Sequence, residues 1–203
     1  MIHFFLACED PLSESFCLQL MKTYFPSSTY NPIMVTGGIG ELKKKVEAFI
    51  NIAKIQDKAT LILTDLDQVG SVESLIADWQ GAAIFPDAFF LLIAVKEIES
   101  WVLADCDAFS QWSGIPKNKI PINPDDENDV KQTLLNLVKR HGNIQIKRDL
   151  LPNKDAKTSK VGIAYNSSLI NFVNNYWRIE KAKLNSLSLS NVDLALTQYA
   201  NRK

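Results

Sequence analysis

Acidic residues gather where apolar runs end. Ile2–Cys8 stops at Glu9-Asp10, with Glu14 about a helical turn further on; Thr60–Thr64 stops at Asp65-Leu66-Asp67; Phe89–Val95 stops at Lys96-Glu97-Ile98-Glu99. If these runs are parallel strands, all three clusters open onto one sheet edge, where like charges oppose ionisation. A hard cation relieves that repulsion, and carboxylate oxygens alone point to Mg2+ or Mn2+. Two such ions roughly 4 Å apart clamp the attacking and leaving oxygens of a phosphodiester. On this reading Glu9, Asp65 and Asp67 hold metal. Glu14, Glu97 and Glu99 complete or orient the shell, or act as general base. The competing reading of any single acid is a helix cap or solvated surface, Asp10 and Glu99 being the plainest cases.

The elements that must position these acids follow from periodicity. Ile2–Cys8 is an apolar run interrupted only by His3, as a strand buried on both faces would be, and His3 reads as a satisfied core residue within it. Phe16, Leu20 and Tyr24 at spacing four predict a helix from Pro11 to Phe25, with Pro11 in its first turn. Pro32–Thr36 reads as a second strand. Gly37-Gly38-Ile39-Gly40 reads as a tight turn before a helix whose apolar face is Ile39, Leu42, Val46, Phe49, Ile50 and Ala53, with Lys43, Lys44 and Lys45 mostly outside it. Strands at Thr60–Thr64 and Phe89–Val95 flank a short helix at Val72–Trp79. This alternation predicts right-handed crossovers and a parallel sheet, with function at the carboxyl ends of its strands.

Beyond residue 110 or so no further long apolar strand is evident. Helices are predicted at Ser100–Trp112, Val130–Arg140, Ser167–Trp177 and Asn191–Ala200, the last started by Ser190 with Asp193 three residues on. Lys147–Lys160 is polar and reads as a loop. The expected fold is α/β: a mostly parallel four-stranded sheet flanked by helices over residues 1–110, and a helical extension packed on it over 111–203.

Composition narrows the function classes. The 203 residues carry 22 Lys+Arg against 23 Asp+Glu, a net charge of −1, so no global basic field marks a nucleic-acid coat. Any polyanion is gripped by a local patch or through bound metal. At 46% hydrophobic residues the chain is too apolar for disorder. Cys8, Cys17 and Cys106 form no CxxC and suggest a reducing compartment. The apolar N-terminal run has no basic region before it, and no stretch approaches the roughly 20 apolar residues of a membrane span. The expectation is a soluble cytoplasmic protein with no membrane partner.

Phe5-Leu6-Ala7-Cys8-Glu9 followed by Glu14, and Leu61-Ile62-Leu63-Thr64-Asp65-Leu66-Asp67, resemble the two signatures of a TOPRIM domain, the catalytic module of topoisomerases, DnaG-type primases and OLD-type nucleases. The likeness is greatest to the small OLD-like branch, with a second Glu about five residues after the first. It implies a TOPRIM-like sheet with Mg2+ held by Glu9, Glu14, Asp65 and Asp67, and cleavage of nucleic acid. The block Glu97-Ile98-Glu99-Ser100-Trp101-Val102-Leu103-Ala104-Asp105 resembles one in small TOPRIM-like proteins associated with ATPases in bacterial defence against phage. That implies an ATPase partner, supplied by another chain. The resemblance covers roughly the first 110 residues, and Asp10 stands where the family often has Gly.

The same residues admit rivals. Asp65-Leu66-Asp67-Gln68-Val69 fits the start of a haloacid-dehalogenase-type phosphatase, whose first Asp attacks phosphorus, although that motif belongs on a first strand. Glu9-Asp10 and Asp65 fit the acidic pocket of a receiver phosphorylated at Asp65, but the Ser or Thr after the fourth strand and a later Lys-Pro are missing. A catalytically inactive TOPRIM-like binding protein keeps the fold without the metal. Lys147, Arg148, Lys154, Lys157 and Lys160 form the densest basic stretch. It reads either as a solvated loop or as a phosphate-gripping loop in which Lys160 stabilises charge on phosphorus, with Gly162 allowing close backbone approach.

Overall fold

A computed structural model describes residues 1–153 and 159–202. The chain forms two compact units, one of residues 1–95 with 191–203 and one of residues 96–190. The boundary expected near residue 110 lies inside the second unit.

The first unit runs β1 (His3–Cys8), α1 (Pro11–Tyr24), β2 (Thr29–Tyr30), β3 (Met34–Val35), α2 (Ile39–Lys43), α3 (Val46–Ala53), β4 (Lys58–Asp65), α4 (Val72–Gln80) and β5 (Phe89–Ala94). All registered pairs are parallel, in the order β2-β1-β4-β5, with β3 also on β1. The sheet thus has five strands where four were expected. The strand predicted over Pro32–Thr36 is only Met34–Val35. A further short strand, Thr29–Tyr30, ends before Pro32, which has no N–H for the ladder, and the two form one broken edge. Its halves pair with opposite ends of β1, Thr29–Tyr30 beside His3–Phe4 and Met34–Val35 beside Ala7–Cys8.

Period-two alternation gives the sheet two apolar faces. Ala7, Ile62 and Ile93 face a cluster with Leu42, Val46, Phe49 and Ile50 of α2 and α3, and Leu75 and Trp79 of α4. On the other face Phe4 meets Phe25 at 4.6 Å between ring centroids, and Phe90 meets Tyr199 at 5.0 Å. Tyr199 lies on α11 (Leu187–Ala200), within which the boundary between the units falls. Its N-cap is not Ser190 but Ser186, whose Oγ accepts the Leu189 N–H at 3.1 Å. The helix predicted after Gly40 is two helices, since the Lys45 N–H turns back to Leu42 O at 2.9 Å and tightens the chain there. His3, expected in the core, is half-buried, its ring nitrogens 2.8 Å from Thr29 Oγ1 and 3.0 Å from Asn31 Oδ1.

The second unit is helical: α5 (Glu99–Ala104), α6 (Cys106–Ser113), two 3-10 turns, α7 (Val130–His141), α8 (Ile144–Leu150), α9 (Tyr165–Asn175), α10 (Ile179–Ala182) and the start of α11. The single helix predicted over Ser100–Trp112 is broken at Asp105, whose carboxylate turns to cap α6 through the Ala108 N–H at 3.2 Å. Trp101 is fully buried, its indole N–H donating to Ser188 Oγ at 2.9 Å, while Trp177 donates to Trp101 O at 2.8 Å. The polar stretch read as a loop from Lys147 begins inside α8. Asn143 caps that helix through the Ile146 N–H at 2.9 Å, and Ile146 and Leu150, one turn apart, are buried. Among the described residues no helix is long and apolar enough to cross a membrane.

Candidate active site

In the first unit β1 and β4 pair in register from His3↔Lys58 to Cys8↔Leu63, so Glu9 leaves one strand beside Thr64 and Asp65 of the other. Glu9 Oε1 accepts the Thr64 hydroxyl at 2.5 Å and the Asp65 N–H at 3.0 Å. One carboxylate oxygen thereby ties the ends of two adjacent strands. Thr64 is fully buried, and sequence reasoning gave it no role. The available signal was a polar residue closing the apolar run Leu61–Leu63, directly before an acid.

Burial pushes the Glu9 carboxyl above the ordinary carboxylate range; the bonds from Thr64 and Asp65 pull it down, and the charges of Asp67 and Asp10 push it up again. Glu9, Asp10 and Asp67 therefore share one electrostatic environment. Asp10 also caps α1, accepting the Ser13 N–H at 2.8 Å. Asp67 sits in the left-handed region at φ +50°, which Asp adopts more readily than most residues. Its neighbour Leu66 is buried and its N–H bonds Ala94 O of β5 at 2.9 Å, so the turn carrying Asp67 is fixed from one side. Glu14 lies half-buried in the first turn of α1, where its charge helps push up the buried Cys17 thiol, after the Cys8 thiol contact and burial.

The second unit holds the other acids. Lys131 N–H donates to Glu97 Oε2 at 3.2 Å. Burial and then the charge of Glu99 push the Glu97 carboxyl up, partly offset by Lys131. Glu99 is 2% exposed; its Oε1 accepts the Tyr165 hydroxyl at 2.8 Å and lies 3.1 Å from Lys131 Nζ. Its other oxygen is buried with no hydrogen-bond partner among the described residues. Lys131 and Tyr165, which carry this arrangement, were not singled out from the sequence. Lys160 and Arg148 are exposed and Lys147 is half-buried, while Lys154 and Lys157 lie outside the described residues. Gly162 does not serve a ligand's approach: a Cβ there would meet Asp149 O at 2.2 Å, and its N–H donates to Leu150 O at 2.8 Å. The glycine is needed to seat the chain against α8.

No family model, curated protein or solved structure matches the chain. The chemistry is therefore argued from the residues themselves. Among the described residues no three His, Cys, Asp or Glu side chains form a ready-made metal cage. A Mg2+-type ion does not need one: it keeps several waters and takes one or two carboxylates. Glu9 and Asp67 fit that donor chemistry, being hard oxygen ligands whose charges already repel each other.

A pH prediction follows. A carboxyl raised in the folded state takes a proton more readily folded than unfolded, so acidification from neutral through its folded pKa stabilises the fold, and the gain is complete once the unfolded group also protonates. Metal-free protein is expected to gain stability from Glu9 and Glu97 as the pH falls from neutral toward the ordinary carboxylate range, and to lose it again as the pH rises. Because Glu97 shifts the same way, Glu9→Gln isolates one contribution: it is expected to raise the pH 7 melting temperature and flatten part of the profile. Calorimetry across this range checks it, and a Glu9→Gln profile parallel to wild type refutes the assignment.

Proposed function

We propose that the chain is a divalent-cation-dependent phosphodiesterase acting on nucleic acid. The observation that carries this reading is the half-buried Glu9 carboxyl, bonded to the end of the neighbouring strand and pushed upward by burial and by Asp67. Glu9, Asp65 and Asp67 are the residues to hold a cation, with Glu14 on the adjacent first turn of α1. The cation supplies Lewis acidity toward a phosphoryl oxygen. Glu9 would bind through its carboxylate, whose orientation Thr64 fixes through its hydroxyl. The backbone bond from Asp65 to Glu9 keeps the two strand ends in step. An ATPase partner, implied by the resemblance of the Glu97–Asp105 block, belongs to the same proposal.

The test is direct. Purified protein incubated with single-stranded DNA, duplex DNA and RNA in Mn2+ or Mg2+ is expected to cleave at least one of them, and chelation is expected to stop it. Stoichiometric labelling of Asp65 by acetyl phosphate, with no cleavage of any substrate, overturns the proposal in favour of a receiver-like module.

A further inference from the structure

No further inference is drawn: the strongest candidate, the side-chain cluster of Glu97, Glu99, Lys131 and Tyr165 in the helical unit, where one buried Glu99 oxygen has no hydrogen-bond partner among the described residues, belongs to the acids already read as completing the candidate metal shell, and nothing in the structure shows what would reach that oxygen.

Discussion

Asp67→Asn is expected to lower metal-dependent cleavage by about 10^3-fold, about 4 kcal/mol of transition-state stabilisation, because it removes one of few ligands able to hold the cation. The substitution is well matched to its position. Asn tolerates the left-handed backbone that Asp67 occupies at φ +50°, so lost activity is not lost conformation. A melting curve supplies the second half of the test. A cation at a hundred times its dissociation constant stabilises the fold by about 2.7 kcal/mol. At this chain length that is about 5–10 °C. Millimolar Mn2+ is expected to raise the wild-type melting temperature by this amount. Asp67→Asn is expected to melt higher than wild type without metal, since it relieves a charge that pushes Glu9 upward, and Asp65→Asn/Asp67→Asn is expected to do the same and to lose the Mn2+ response. If the double variant melts lower and Mn2+ does nothing, these acids are hydrogen-bond acceptors in the native fold, and the metal assignment falls with them.

The first unit was legible because its central strands, β1, β4 and β5, are buried on both faces. Leu61, Ile62 and Leu63 leave no ambiguity of period, and the acids after them mark where β1 and β4 end. Short elements were less legible, since their limits are set by single backbone groups. Pro32 separates two short strands, Asp105 divides a helix, and Asn143 starts one that runs into the stretch whose charges suggest a loop. At the candidate site the acids themselves were visible, but their partners were not. Thr64, Lys131 and Tyr165 are ordinary residue types whose roles depend on where β4, α7 and α9 place them. The separation in sequence between Glu99 and Tyr165 leaves no local pattern to detect.

Asp105 shows why an acid in a suggestive block need not do chemistry. It closes the segment Glu97–Asp105, yet it is fully buried and wholly engaged. It accepts the Ala108 N–H at 3.2 Å, the Arg178 N–H at 2.9 Å, and the Arg178 guanidinium at 3.2 Å and 3.3 Å. Removing the arginine side chain leaves the carboxylate buried with only its two backbone donors. Asp105 is buried but the Arg178 side chain is exposed, so solvent takes over part of what the arginine supplied, and the loss for Arg178→Ala is about 1.5 kcal/mol, the lower end for a charge-assisted hydrogen bond. The expected fall in melting temperature is about 3–6 °C. Asp105→Asn keeps the Oδ1 cap on α6 but puts an amide NH2, a donor, where Oδ2 accepts the Arg178 N–H and Nε–H, and is expected to fall as well. Thermal melts without metal therefore separate the two kinds of acid by sign: Asp67→Asn rises because it removes repulsion, while Asp105→Asn and Arg178→Ala fall because they break a satisfied pair. A rise for Asp105→Asn instead means that the buried carboxylate is not compensated by Arg178.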